Sequence, residues 1–73
     1  MKLKFRVASM TLSQGHDGGR YATVRLVPTR HDDNRVLWDS PPAGSIELHG
    51  IMPRNTETLA VGSEVDVTLE EAV

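Results

Sequence analysis

The first twelve residues, MKLKFRVASMTL (residues 1–12), contain the clearest strand pattern in the chain. Charged and apolar side chains alternate up to Val7, which is the period of a strand with one buried face. The alternation then slips by one residue, so that Ala8, Met10 and Leu12 continue the apolar set. A slip of one residue inverts the faces of a strand unless the backbone takes up an extra residue. We therefore predict one long first strand with a bulge or sharp bend near Val7–Ala8.

Three further segments have the same two-residue period. They are Arg20–Val27, Ser45–Ile51 and Glu64–Leu69. Pro28 ends the second segment, since proline cannot donate a hydrogen bond to a central ladder. The first two strands are joined by residues 13–19, whose three glycines in seven residues predict a flexible hairpin loop.

The remaining segments are less regular. Residues 29–34 are polar and predict a loop, and the short apolar piece Val36–Trp38 precedes a turn at 39–44. Residues 52–61 have no clean period of two. Asn55–Glu57 could cap a single helical turn that crosses an open end of the sheet.

The length of the chain limits the architecture, because 73 residues leave room for one domain at most. Short strands with turns at intervals of about ten residues are typical of small barrels, in which closure removes the exposed edges. We predict an all-β fold for a single domain, residues 1–73. It is a small antiparallel five-stranded barrel or roll, SH3-like or OB-like, with at most one helical turn.

Charge is divided unevenly along the chain. Residues 1–35 carry seven Lys or Arg against three acidic residues, and residues 36–73 carry one Arg against seven acidic residues. In the first interpretation, the terminal strands are neighbours and their outward charges pair across the ladder. In the second, the faces lie apart and meet their opposites on another copy or a partner. We favour the first, because barrel closure often pairs the terminal strands, and both fit a protein that self-associates.

Residue types that carry catalysis or bind metals are poorly represented. The absence of Cys excludes disulfides, redox motifs and thiolate metal sites. Neither His16 nor His31 has the spacing of a metal site, and no nucleophile motif such as GxSxG occurs. The Gly15–Gly19 loop is not followed by a helix or by the Lys of a phosphate-binding loop. We predict a protein that is not an enzyme, with no catalytic residues, no metal site and no cofactor.

Membrane insertion and general nucleic-acid binding are also not expected. No apolar run approaches the roughly 18 residues of a membrane span, and the alternating start does not resemble a signal peptide. The net charge of −2 and a pI near 5.8 argue against affinity for the phosphate backbone. We expect an intracellular location.

A small set of residues could still bind a ligand or partner. Arg25, Arg30 and Arg35 bracket the second loop, and Trp38 follows. Arginine suits bidentate phosphate contact, and tryptophan offers a face for a base. The alternative, which we favour, is that Trp38 plugs one barrel end and the arginines are solvated. His49, beside Glu47 on the outer face of the third strand, is a residue type that changes charge near neutral pH, or simply an exposed strand histidine.

Several segments occur in an order that is shared with other small proteins. They are a start like Met1–Val7, a strand end like Val24–Pro28, an Asn and then a Trp before a proline turn (Asn34, Trp38, Pro41, Pro42), a strand like Ser45–Leu48 and an end like Val61–Thr68. This outline resembles a loose group of small uncharacterised tailed-phage β-barrel proteins. The chain departs from it at Val61 and Val65, where those proteins tend to have aromatic residues. The resemblance implies a virus or prophage context and no defined chemistry.

These observations predict a non-enzymatic phage-type accessory protein that acts by protein–protein interaction or self-association, as a virion-associated or minor structural module. Its expected partner is another protein or a second copy. One alternative is an anti-defence protein that sequesters a nucleotide or other small molecule at a site formed between subunits. Another alternative is an inhibitor of a host nuclease that acts through the acidic C-terminal half. The expected location is the host cytoplasm or the virion.

Overall fold

The computed structural model describes residues 1–73 and contains a single four-stranded antiparallel sheet. Its strands are β1 (Lys2–Gln14), β2 (Arg20–Pro28), β3 (Ile46–Ile51) and β4 (Glu64–Thr68). The order across the sheet is β3-β2-β1-β4. The long hairpin of β1 and β2 is therefore central, and β3 and β4 form the two edges.

The antiparallel all-β class is confirmed, but the five-stranded barrel is not. The sheet stays open because β3 pairs only with β2 and β4 only with β1, at opposite edges. The apolar piece Val36–Trp38 adds no strand. The backbone N–H groups of Leu37 and Trp38 both donate to the carbonyl of Asn34, at 3.1 Å, which bends the chain into a turn.

The bulge predicted in β1 is confirmed. Val7 lies opposite Leu26 and Ser9 lies opposite Arg25, so Ala8 is the extra residue between them. The extra residue restores the inward direction of the apolar side chains, and Met10 lies opposite the buried Val24. The apolar side chains of β1 before and after Ala8 therefore lie on the same, inner face of the sheet.

The terminal strands are neighbours, as the first interpretation of the charge pattern predicted. Lys4 lies opposite Asp66 and Arg6 lies opposite Glu64 on the outer face of β1 and β4. The Lys4 ammonium forms a salt bridge with the Asp66 carboxylate. This hydrogen bond lowers the pKa of Asp66 and raises the pKa of Lys4. Charges that are far apart in sequence thus pair within the monomer.

The core lies on the inner face of the sheet and is small. Its buried apolar residues come from the two central strands; they are Leu3, Phe5, Val7, Ala22, Val24 and Leu26. Trp38 packs against Phe5 with ring centroids 6.3 Å apart and an interplanar angle of 56°. The radius of gyration is 14.0 Å, whereas a compact chain of this length has about 11 Å. The molecule is therefore extended, with extents of 44 × 32 × 19 Å.

Two short helical turns occur where at most one was predicted. The 3-10 helix Pro53–Thr56 overlaps the predicted turn but begins at Pro53, and Met52, its N-cap, makes no side-chain cap bond. Proline favours this first position because its fixed φ suits a helix and its missing N–H has no partner there. The other 3-10 helix, Asp32–Val36, lies partly in the predicted loop. It begins after His31, whose Nδ1 accepts a hydrogen bond of 3.1 Å from the Asp33 backbone N–H.

Candidate binding site

A buried carboxamide anchors the segment that carries most of the candidate residues. Asn34 is 2% exposed. Its Oδ1 accepts from the Lys4 backbone N–H at 2.7 Å, and its Nδ2 donates to the carbonyls of Lys4 and Thr29 at 2.8 and 2.7 Å. Strand β2 ends at Pro28, opposite Phe5. The next residue, Thr29, still donates its backbone N–H to the Lys4 carbonyl at 3.1 Å, so Asn34 and Thr29 together hydrogen-bond the Lys4 backbone. The first 3-10 helix is thereby held against β1.

This anchoring creates a shallow, open cleft of about 440 Å³ beside the 3-10 helix. The cleft is lined mostly by polar residues and prolines; they are Arg30, His31, Asp32, Asn34, Arg35, Trp38, Asp39, Ser40, Pro41 and Pro42. Three of the predicted ligand residues, Arg30, Arg35 and Trp38, are therefore brought together. Trp38 also covers Phe5, so it is both a wall of the cleft and a cover for the core.

The charges in the cleft are balanced. Arg30 and Arg35 face the same space as Asp32 and Asp39. The Arg35 Nε lies 3.6 Å from Asp32 Oδ1, and the two side chains are 83% and 89% exposed. An exposed pair of this kind contributes little to stability, so Arg35 remains free to contact an anion. The cleft can offer a planar ring face and guanidinium groups, but its own carboxylates reduce the attraction for anions.

Arg25 and His49 lie elsewhere, on the outer face near the β3 edge. Arg25 is opposite Glu47. The His49 ring contacts Thr23 Oγ1 through Nδ1 at 3.3 Å and Glu47 Oε2 through Nε2 at 3.5 Å. The predicted set of five therefore divides into two places, three residues in the cleft and two on the outer face.

The glycine-rich hairpin has contacts that its composition did not predict. Asp17 Oδ1 accepts from the Gly19 N–H at 2.9 Å and its Oδ2 accepts from the Tyr21 hydroxyl at 2.6 Å. The bond from Tyr21, and to a smaller extent the bond from Gly19, lowers the pKa of Asp17. The bond between Tyr21 and Asp17 also raises the pKa of Tyr21. A Cβ added at Gly15 would lie 2.5 Å from the Tyr21 ring, so a larger residue there would displace the ring.

Two classes of feature are not found in the structure. No group of three or more His, Asp or Glu side chains converges as metal ligands would. The structure also has no helix of the length and apolar character needed to cross a membrane.

The class that the fold and cleft define is an open four-stranded antiparallel sheet with a polar cleft at one end. Comparison with known proteins does not assign this chain to a more specific class. No protein-family model, curated protein or solved structure matches the chain.

Sequence reasoning did not assign a role to Asn34 or to Asp17. Nothing in the local pattern around Asn34 indicates a buried side chain. Its partner Lys4 is 30 positions away. Asp17 is only four positions from Tyr21. An Asp and a Tyr this close on either side of a glycine turn are the one local signal that could have indicated their hydrogen bond.

Proposed function

We propose that this protein is a non-enzymatic interaction module of phage accessory type that binds a protein partner or a second copy through its sheet. The observation that carries the proposal is the open sheet, whose edge strands β3 and β4 each pair on one side only. A free strand edge presents unpaired N–H and C=O groups, to which another strand can add.

The thin core supports the same proposal. Eight of the 73 residues are buried. Several large apolar side chains stay about half exposed, among them Leu48, Met52 and Leu69. An edge strand with exposed apolar residues gains additional burial when it associates.

Native mass spectrometry of the protein as purified tests this proposal. We expect a homo-oligomer, or a complex with a defined protein partner, that dissociates on denaturation. For the virion-associated form, we expect the chain among the proteins of purified particles. A bare monomer across the whole accessible concentration range, with no protein partner in cells or particles, would contradict the proposal.

A second candidate function is sequestration of a nucleotide or similar anion. The observation that favours it is the cleft that brings Arg30, Arg35 and Trp38 together. Saturating ligand at 100 times its Kd stabilises a protein by about 2.7 kcal/mol. We expect a mononucleotide or cyclic dinucleotide to raise the melting temperature if this function is correct. Arg35→Ala should abolish the effect and the control Arg54→Ala, in the other 3-10 helix, should retain it; no shift with any nucleotide would exclude this candidate.

Inhibition of a host nuclease has less support. The acidic side chains of β4 would have to present a continuous negative surface. Asp66 is instead paired with Lys4, and Glu64 lies opposite Arg6. Their charges are therefore partly neutralised within the monomer.

A further inference from the structure

The outward edge of β3 combines exposed apolar and charged side chains. On the inner face Leu48 is 47% exposed and Ile46 is partly buried against the core. On the outer face Glu47 and His49 have side chains that are 55% and 68% exposed. The strand pairs with β2 on one side, and its other side has no strand neighbour.

The alternation of these residues restricts how two copies of β3 can pair. In an antiparallel pair, residues directly opposite each other point to the same face. Inner Leu48 must therefore meet an inner residue, and outer Glu47 must meet an outer one. The nearest two-fold arrangements centre on Glu47, on Leu48 or on His49.

Charge distinguishes the three arrangements. Centring on Glu47 places two like carboxylates opposite each other, which is unfavourable. Centring on His49 places two histidines opposite each other, a pair that offers no opposite charges. Centring on Leu48 places Glu47 of each copy opposite His49 of the other and joins the two exposed leucines on the inner face.

We propose that two copies of this chain pair antiparallel along β3, with the two-fold axis at Leu48, to form a continuous eight-stranded sheet. This inference rests on the proposed function and names its partner as a second copy. One row of side chains then crosses the outer face of the joined sheet. It consists of Arg25 and Glu47 of one copy, followed by His49 and Thr23 of the second copy. Arg25 and His49, which do not reach the cleft, thereby acquire a role in the interface.

The other edge lacks this complementarity. Glu64 and Asp66 are the charged residues on the outer face of β4. Each nearby two-fold pairing of β4 places a carboxylate opposite a carboxylate, whether the axis lies at residue 64, 65 or 66. Self-pairing is therefore directed to β3.

Cysteine cross-linking tests the register. The chain has no native cysteine, and residues at the axis of an antiparallel pair lie about 4.5–5.5 Å apart, within the range of a disulfide. We expect Leu48→Cys to form a disulfide dimer under mild oxidation. Ser45→Cys, just outside the strand, should not, because the two copies of residue 45 lie far apart in this register. Equal cross-linking of both variants, or of neither, would overturn the proposal.

Charge substitutions test the same contact without a covalent bond. At neutral pH we expect Glu47→Lys to weaken dimerisation and His49→Lys to tighten it, each by about fivefold, since each pair occurs twice. The exchange Glu47→Lys with His49→Glu should restore the affinity lost in Glu47→Lys alone. The matched control is Glu64→Lys on β4, which also faces an arginine across the ladder and should leave dimerisation unchanged.

Sedimentation over a concentration series measures these affinities, and circular dichroism melting verifies that each variant folds. Weaker dimerisation of His49→Lys, or no rescue in the exchanged variant, would overturn the β3 pairing. If the wild type then still self-associates or binds another protein, the proposed function stands and only this interface is wrong. If no association of any kind is found, both proposals fail.

Discussion

Asn34 supplies hydrogen bonds to β1 beyond the point where β2 ends. Its carboxamide carries a donor and an acceptor in the same geometry as a peptide group, so it pairs with both the N–H and the C=O of Lys4. A buried backbone group left without a partner costs about 1–3 kcal/mol. This one side chain therefore stabilises both the start of β1 and the position of the cleft.

We expect Asn34→Ala to lower the free energy of unfolding by about 1–3 kcal/mol, because it leaves the Lys4 backbone N–H without its acceptor. The Lys4 carbonyl keeps the hydrogen bond from the Thr29 N–H. Chemical denaturation measures this change. The control Asn55→Ala, at an exposed position in the other 3-10 helix, should change stability by less than about 0.5 kcal/mol. Equal effects of the two substitutions would show that the Asn34 hydrogen bonds contribute nothing.

Asp17 acts on stability through its charge. Its pKa lies below the usual value of 3.8 because it accepts hydrogen bonds from Tyr21 and Gly19. A carboxyl with a lowered pKa in the folded state stabilises the fold above its unfolded pKa, and this contribution is lost as the pH falls through the folded value.

We therefore expect the wild type to be more stable than Asp17→Asn at neutral pH, and the difference to shrink as the pH falls below 3.8. Thermal melts at a series of pH values measure it. Asp39→Asn, in the turn after Trp38, controls for the removal of a carboxylate. A difference between wild type and Asp17→Asn that grows on acidification would contradict the assigned direction of the pKa.

At the scale of the elements, β1 is the strand that connects the edge strand β4 to the β2–β3 half of the sheet. It contacts β4 through residues Lys2–Arg6 and β2 from Phe5 to Gln14. The bulge at Ala8 keeps both halves facing the same core. Met10 consequently packs against the core, whereas its neighbour Ser9 is exposed opposite Arg25.

This bulge predicts opposite outcomes for two adjacent substitutions. Met10→Gln should lower the unfolding free energy by about 1–2 kcal/mol, because it places an amide against the apolar face. Ser9→Gln should change it by less than about 0.5 kcal/mol. Urea denaturation compares the two, and a larger loss for Ser9→Gln would mean that β1 continues without the bulge.

At the scale of the whole molecule, the small core means that few residues carry most of the stability. A chain of this length has about 4–11 kcal/mol in total. Phe5 is 5% exposed, at the centre of the inner face and under Trp38. Leu12, on the same strand but beyond the covered region, is 56% exposed.

We expect Phe5→Ala to cost about 3–5 kcal/mol, which is enough to unfold a large fraction of the molecules at physiological temperature. Leu12→Ala should cost less than about 1 kcal/mol, since little of its surface is buried. Tryptophan fluorescence of Trp38 during thermal unfolding reports both variants. A similar cost for the two would mean that the inner face is covered along its whole length.

The strands, the bulge and the pairing of β1 with β4 could be predicted from the sequence because each depends on local alternation or on complementary charge. Periods of two along Lys2–Val7 and Glu64–Leu69 indicate buried faces directly, and the slip at Ala8 is visible in the same pattern. The grouping of Arg30 and Arg35 near Trp38 followed from their proximity in the chain.

Three features could not be predicted from the sequence and depend on tertiary contacts. They are the open form of the sheet, the burial of Asn34, and the separation of Arg25 and His49 from the cleft. A sheet closes only if its two edge strands pair with each other, and no local pattern indicates that β3 and β4 lie at opposite edges. Asn34 is buried because its carboxamide hydrogen-bonds the backbone of Lys4, 30 positions away, and no local pattern indicates that contact. Arg25 points away from the cleft because strand alternation places it on the outer face, and only the assembled sheet shows which face the cleft lies against.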